Sequence, residues 1–383
     1  LPVLSKHVVQ RREKALCATT LPSNDVRYSW YQSSGTTGRP TRVLHSGRSN
    51  VMFSRLVQRQ LRWFRWDPLR MRGELRPNYR QPRLPDGSLP EKGAACRYPK
   101  WRYIGEIFES GPQVGLCSTA PVERQIDWLL EQRPAYLTAN SSVLDRLAWT
   151  GGRERLAGVL NGALTISEEL SPVMRQRCEG VLDTSVDQNY GLNEIGIVAA
   201  RCAAGRYHVH MEHCLTEIVD EDGAPVAPGE GGRLLVTALR NTAMPLLRYE
   251  TGDLAEEVSG PCPCGRSLPS FGGLVGRFRQ LVGLPEGTLA CILKIKVTLR
   301  EAPTEIVDMV RQFQIRQEAD GSFRFLLVCS APLPEAFRQL MAEAWSEVSG
   351  AEGPALRLEV VEEIPISASG KAQDFVSSFA PEG

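Results

Sequence analysis

Between Val122 and Glu179 helical segments alternate with a short apolar strand, and this alternation commits the chain to an α/β architecture. Val122–Gln132 has amphipathic helical spacing, Ala135–Thr138 is a short apolar run, and Ser141–Trp149 and Pro172–Glu179 are helical again. From Arg206 the texture changes to strands: Tyr207–Met211, Leu215–Val219 and Gly232–Leu239. Asp222-Gly223 and Pro228-Gly229 supply tight turns between them. The last hundred residues read strand, helix, strand, strand, helix, strand, with helices at Pro303–Phe313 and Leu333–Val348 and strands at Arg324–Cys329 and Leu356–Val361. A chain of 383 residues exceeds one ordinary core. The expected organisation is therefore a large α/β domain over 1–278 with a strand-rich part, then a small α+β domain over 279–383. The boundary falls near Arg277–Arg279.

Composition narrows the function classes. With 42% hydrophobic and 23% charged residues the chain reads as an ordinary globular protein. A net charge of +1 gives no global field toward nucleic acid or an anionic membrane. No run approaches 18 apolar residues, so no transmembrane helix is expected, and LPVLSKHVVQRREK lacks the apolar stretch of a secretory leader. Ten dispersed cysteines do not make a disulfide scaffold, and a reducing cytoplasm is the expected compartment. Only seven lysines are present, so one placed in a sharp motif stands out.

Strand-like segments Arg27–Gln32 and Thr41–His45 flank Ser33-Ser34-Gly35-Thr36-Thr37-Gly38-Arg39-Pro40. Two glycines allow close backbone approach and the hydroxyls offer donors to phosphate oxygens. The string does not fit GxxxxGK[ST] and joins two strands instead of opening a helix, which excludes a Walker loop. Helical spacing follows over Ser49–Trp66. Arg70–Arg102 is Pro-, Gly- and Arg-rich and reads as an irregular excursion, with Arg70, Arg72, Arg76 and six further basic residues opposed by Glu74, Asp86 and Glu91. Such a loop could meet phosphates or an acidic protein through exposed charge pairs. Cys202, His208, Cys262 and Cys264 make a closed Cys3His set suited to structural zinc, with His210 or Cys214 as alternatives to His208; free thiols beside a strand histidine are the plainer reading.

Taken in order, the motifs resemble those of the acyl-adenylate-forming superfamily, in its phenylacetate–CoA ligase and coenzyme F390 synthetase-like branch. Ser33–Pro40 is similar to the family's phosphate loop, with Thr41 where a lysine is usual. Gln188-Asn189-Tyr190-Gly191-Leu192-Asn193-Glu194 resembles its YGxTE segment, and Asn241–Asp253 its AMPxxRYxTxD segment. Gly276-Arg277-Phe278-Arg279 matches the GRxD hinge except at Arg279. Ile364–Lys371 resembles PRTxSGK.

The resemblance implies a large adenylate-forming domain capped by a small mobile lid, and roles for particular residues. Ser33, Ser34, Gly35, Thr36, Thr37 and Gly38 would cradle ATP phosphates, while Asn189, Tyr190 and Gly191 would border the adenine. Gly162, in Gly162-Ala163-Leu164, stands where the family has its Gly-Glu element beside the adenine, with Leu164 replacing the acid. Asp253 would take the ribose hydroxyls and Arg277 would meet the nucleotide. Glu194 would serve Mg2+, and Lys371 would bridge carboxylate and α-phosphate. Arg248 would order its own segment. The implied reaction is ATP-dependent adenylation of a carboxylic acid, aromatic by analogy, followed by transfer to coenzyme A. A carrier-protein thiol or an amine in a biosynthetic pathway is the alternative acceptor, and a non-catalytic nucleotide-binding relative is the rival reading. The implied partners are the acid and coenzyme A, with a carrier protein or a second copy of the chain as further possibilities, and neither nucleic acid nor membrane.

Overall fold

The first elements are helix α1 (Lys6–Arg12) and an antiparallel hairpin of β1 (Tyr28–Gln32) and β2 (Arg42–Ser46). The computed structural model describes the chain except for residues 22–26, 33–40, 78–83, 85–86, 89–90, 92, 103, 105–106, 278–283, 285–286, 304–305, 307–308, 351–352, 365–373 and 379–383. Helix α2 (Gly47–Trp63) starts where the Ser46 hydroxyl accepts the Ser49 amide at 3.3 Å, satisfying one orphan donor of the first turn.

Next come β3 (Arg72–Arg76), β4 (Cys96–Tyr98), β5 (Gln113–Cys117), α3 (Val122–Gln132), β6 (Tyr136–Asn140), α4 (Ser141–Leu156), β7 (Gly162–Ile166), α5 (Pro172–Leu182) and β8 (Val186–Leu192). Strands β5, β3, β6, β7 and β8 run parallel, as strand–helix alternation requires. The chain continues through β9 (Gly196–Arg201), β10 (Tyr207–Val209), β11 (Cys214–Val219), β12 (Gly231–Ala238), β13 (Tyr249–Glu256), β14 (Ser270–Phe271) and β15 (Leu274–Arg277). The large sheet has the order β14-β10-β9-β8-β7-β6-β3-β5-β4, its antiparallel flank being β9, β10 and β14. A second, antiparallel sheet, β11-β12-β13-β15, is the strand-rich part of the large domain.

Register explains how the large sheet is covered. Leu75 lies beside Leu116 and Ala139, and Leu137 beside Ala163, so one face is mainly apolar, with Thr165 and Gln188 its polar members at the β7–β8 side. It packs with Ile126, Trp128, Leu144 and Leu147 of α3 and α4 into a fully buried core. The opposite face carries Glu74, Thr138 and Leu164 in one row, and it faces a cleft.

The C-terminal unit is α6 (Gly287–Glu301), β16 (Val310–Gln317), β17 (Phe323–Cys329), α7 (Glu335–Ser349), β18 (Leu356–Val360) and β19 (Phe375–Ser377), with sheet order β18-β17-β16-β19. Cys291, Ile292 and Ile295 of α6 form a helical stripe against Phe325, Phe337 and Met341, and Leu254 of β13 joins the same core. The fold is thus α/β, with a large domain, a strand-rich part and a small α+β domain. The expected boundary falls on residues outside the described ones.

Three segments differ from expectation. Arg70–Arg102 contains β3, a central strand of the large sheet, and the edge strand β4. The C-terminal unit opens with a helix where a strand was expected. The helix expected over Pro303–Phe313 gives way at Val310 to β16, whose pairing with β17 over Val310–Gln317 overrides local helical spacing.

Candidate active site

A cleft of about 1600 Å3 opens at the C-terminal ends of the parallel strands, where Arg76, Asn140 and Ile166 reach it. Open α/β sheets bind ligands at that edge, because loops diverge there. The hairpin, β8, β13 and the C-terminal unit complete its walls through Tyr31, Tyr190, Asp253 and Lys296.

On the β8–β13 side the Tyr190 hydroxyl donates to Asp253 Oδ2 at 2.8 Å. Asp253 lies opposite Arg277 in the β13–β15 register, and its amide donates to Thr251 Oγ1 at 3.0 Å. Glu194 is buried and accepts the Tyr249 hydroxyl at 3.1 Å, while Lys6 Nζ approaches to 3.7 Å. Burial, with Glu194 adding to it, pushes the Tyr249 phenol upward, so it remains a donor to that carboxylate. Asn189 Nδ2 donates to Gln60 Oε1 at 3.2 Å. At Gly191 a Cβ would come within 2.9 Å of the Gly196 carbonyl, so glycine permits the tight β8–β9 approach. His45 Nε2 lies 2.9 Å from the Asn193 carbonyl, and burial lowers its pKa, keeping the ring neutral.

The floor beyond is the sheet face of β3, β6 and β7. Glu74, only 2% exposed, accepts Arg76 Nε at 2.8 Å and Gln113 Nε2 at 2.9 Å, and Arg72 donates to Gln113 Oε1 at 2.8 Å. These arginines were expected on an exposed loop. They are instead part of a hydrogen-bonded network on a central strand, with Arg72 7% exposed and its guanidinium 5.2 Å from the Trp101 ring. Trp66 stacks on Tyr136 at 4.4 Å and donates its indole N–H to Asp187 at 3.1 Å. Burial pushes the Asp187 carboxyl up to about 7, against the indole bond and Arg175.

Gly162 sits at the start of β7, away from the ligand edge, and is not among the described residues lining the cleft. A Cβ there would lie 2.8 Å from Trp66 Nε1, so this glycine makes room for the indole. The acid at the ligand end of the same strand is Glu168. It follows Ser167, which holds a left-handed φ of 69°, and its carboxylate accepts the Ser142 amide at 2.9 Å.

A second constellation lies where β10 meets the Cys262–Cys264 turn. One ligand atom from each of Cys202, His208, Cys262 and Cys264 lies within 4.8 Å of the others. Cys202 and Cys262 sulfurs are 3.6 Å apart, and Cys264 Sγ is 3.2 Å from His208 Nε2. Zinc–sulfur bonds of about 2.3 Å in a tetrahedron imply sulfur–sulfur distances near 3.8 Å, so the donor set fits a closed zinc site. His208 Nδ1 lies 3.2 Å from the Leu268 carbonyl, the kind of outer contact that turns Nε2 toward a metal. Burial raises the Cys264 thiol, but hydrogen bonds from the Arg266 backbone and neighbouring groups bring it down to about 7. His210, one alternative, instead faces Gln60 Nε2 at 3.0 Å, and Cys214 faces the Val198 carbonyl.

The structure therefore brings Asn189, Tyr190, Gly191, Glu194 and Asp253 to one cleft. Ser33, Ser34, Gly35, Thr36, Thr37, Gly38 and Lys371 lie outside the described residues, and of Arg277 only the backbone is described. Arg248 holds its segment: it donates to Glu217 at 3.1 Å and to the Gly223 carbonyl at 3.0 Å. Sequence reasoning missed His45, Glu168 and Lys296, and it read Glu74 and Arg76 as charges of an exposed loop. Charged residues inside the five-residue strand RGELR were the available signal for those last two. Among the described residues no helix is long and apolar enough to cross a membrane.

No protein-family model matches the chain. It is 31% identical over 303 residues to a phenylacetate–coenzyme A ligase of Thermus thermophilus, covering 76% of this chain and 63% of that enzyme. It is 26% identical over 252 residues to the phenylacetate–coenzyme A ligase of Escherichia coli K12, covering 63% of this chain and 54% of that enzyme. The chain thus spans less than two thirds of the curated relatives it matches. Its fold is similar to a crystal structure of 2-hydroxyisobutyryl-CoA ligase in the postadenylation state with R3-HIB-AMP: TM-score 0.69, 17% identity, 99% of this chain and 80% of that one. By sequence the chain is similar to the phenylacetate–coenzyme A ligases, and its fold is similar to that of a 2-hydroxyisobutyryl-CoA ligase.

Proposed function

We propose that the chain uses ATP to activate a carboxylic acid as an acyl-AMP and then transfers the acyl group to coenzyme A. The observation that carries this reading is the convergence of Tyr190, Asp253 and Glu194 on one cleft, with the Tyr190 hydroxyl holding Asp253 at 2.8 Å. A carboxylate oriented by a phenol suits a ribose diol, since its two oxygens accept from two hydroxyls. Tyr190 and Asn189 border the base, with Gly191 beside them on β8. Ser33–Gly38 surround the phosphates, Arg277 meets the nucleotide, and Lys371 places a compact cation between carboxylate and α-phosphate. Glu194, on the cleft wall and braced by Tyr249, is the residue that would hold Mg2+. When bound, that ion neutralises phosphate charge.

The acid lies along the sheet floor. Leu61, Phe64, Trp66 and Leu164 offer apolar surface there, which favours an aromatic or other apolar body. Cys202, His208, Cys262 and Cys264 hold a structural zinc far from any patterned base. Residues 279–383 act as the lid that carries Lys371. A cytoplasmic location accords with the free thiols; coenzyme A is the acceptor favoured over a carrier thiol or an amine, because the relatives named above are coenzyme A ligases. To test the reading, the acyl-AMP formed from ATP and a panel of aryl and acyl acids is trapped and identified by mass spectrometry. Coenzyme A, pantetheine-loaded carrier protein and simple amines are then offered separately. Thioester formation with coenzyme A supports the proposal; no acyl-AMP with any acid refutes it.

A further inference from the structure

Lys296 projects from α6 into the cleft and joins two parts of the molecule. Its side chain is 11% exposed, and Nζ lies 2.7 Å from Glu169 Oε2 and 2.5 Å from Asp374 Oδ2. Glu169 belongs to the large domain, three residues beyond the end of β7. Asp374 belongs to the C-terminal unit: it precedes β19, and its carbonyl accepts the Ile315 amide of β16 at 2.7 Å. Along the chain Asp374 is three residues past Lys371.

The contact differs in kind from the surface pairs of the same helix. Lys294 of α6 also meets a carboxylate, Glu347, but within one unit and with the glutamate 62% exposed, where such pairs contribute little. Lys296 is largely withdrawn from water while Glu169 and Asp374 are 33% and 35% exposed, about half as much as Glu347, and each hydrogen-bonds to the ammonium. Burial alone would lower its pKa, yet Asp374 and Glu169 more than offset that and hold it above the usual lysine value. A buried cation between two acids keeps its stability only while both remain in place, and losing one partner is costly. Two further contacts cross the same junction. Arg311 of β16 lies 4.0 Å over the Trp149 ring of α4, and Leu254 of β13 is part of the C-terminal core.

We propose that Lys296 is a positioning residue. By tying Glu169 to Asp374 it clasps the C-terminal unit against the large domain at the cleft, the arrangement that serves the first half-reaction. The proposal rests on the adenylation reading for its functional half and on the Lys296 geometry alone for its mechanical half. On the adenylation reading Lys371 serves acyl-AMP formation, so the clasp is expected to bear on that half-reaction and not on transfer.

The test uses the full chain with Glu169→Gln, which removes only the cross-unit partner, and Lys296→Met, with Lys296→Arg as the conservative control. Small-angle scattering and amide hydrogen exchange over Phe375–Ser377 read the clasp directly. Glu169→Gln and Lys296→Met are expected to increase the radius of gyration and speed exchange there, with Lys296→Arg close to the parent. In the activity arm, acid-dependent pyrophosphate release should fall about tenfold or more, as expected for breaking a buried pair, while transfer from supplied acyl-AMP stays within about twofold. Scattering and exchange identical to the parent in both variants would overturn the clasp. Equal losses in both half-reactions would reduce Lys296 to a structural residue. A parent chain that makes no acyl-AMP would refute the adenylation reading, while scattering and exchange would still decide the clasp.

Discussion

Replacing Asp187 by Asn should make the protein more stable, and increasingly so as pH rises. Asp187 lies on β8 beneath the cleft, with the Trp66 indole N–H at 3.1 Å as its hydrogen-bond donor. Burial is the largest influence on its carboxyl and pushes it up to about 7, against an unfolded value of about 3.9. Between those values the unfolded chain has released this proton while the folded chain retains it. The unfolded state then binds fewer protons, so stability falls with rising pH until about pH 7 and levels off above it. Three pH units at about 1.4 kcal/mol each set a ceiling near 4 kcal/mol, and partial exposure brings the expectation to about 2–4 kcal/mol at pH 8. Asparagine keeps an oxygen for the indole and carries no charge, so it removes the dependence. The assay is urea denaturation of parent and Asp187→Asn at half-unit steps from pH 5 to 8.5. Their separation should widen by about 2 kcal/mol between pH 5 and 7 and stay constant beyond. Parallel curves across the range would refute the argument that burial governs this carboxyl.

Two further outcomes follow from the site geometry. Asp253→Ala should weaken ATP and AMP alike by calorimetry, because the ribose is common to both, and Tyr190→Phe should cost AMP binding about 1 kcal/mol through the lost 2.8 Å bond; unchanged AMP affinity in both variants would remove Asp253 from the ribose site. Protein purified without added metal should hold about one equivalent of zinc, and Cys262→Ser should release it and lower the melting temperature, since such binding energy is also folding energy. Metal-free protein with unaltered melting in the variant would end the zinc assignment.

Much of the molecule could be read from its residues, for reasons that also explain the failures. The helices at Val122–Gln132 and Pro172–Leu182 announce themselves by spacing and caps, since each has one buried stripe and the Ser171 hydroxyl caps the second. Strand β3 did not. Its sequence, RGELR, places charges on the face that looks into the cleft, so the apolar run expected of a central strand is absent. Helix α6, GTLACILKIKVTLRE, alternates like a strand, and only its packing on α7 settles its type. At the site, Tyr190, Glu194 and Asp253 were legible because contiguous motifs carry them. Glu168 and Lys296 were not, because each acts through neighbours more than 25 residues away that only folding supplies; Glu74 was not, because its burial against Gln113, 39 residues on, is what turns a strand charge into part of the floor.

The central claim is that this chain makes an acyl-AMP, and the most direct measurement is acid-dependent exchange of labelled pyrophosphate into ATP, with no acceptor present. Exchange requires reversible adenylation and nothing downstream. The account predicts label in ATP only when a suitable carboxylic acid is added, with Lys371→Ala reducing the rate by about 100-fold or more, the scale of losing one transition-state charge contact. Exchange absent with every acid offered, or present at full rate in Lys371→Ala, would contradict it.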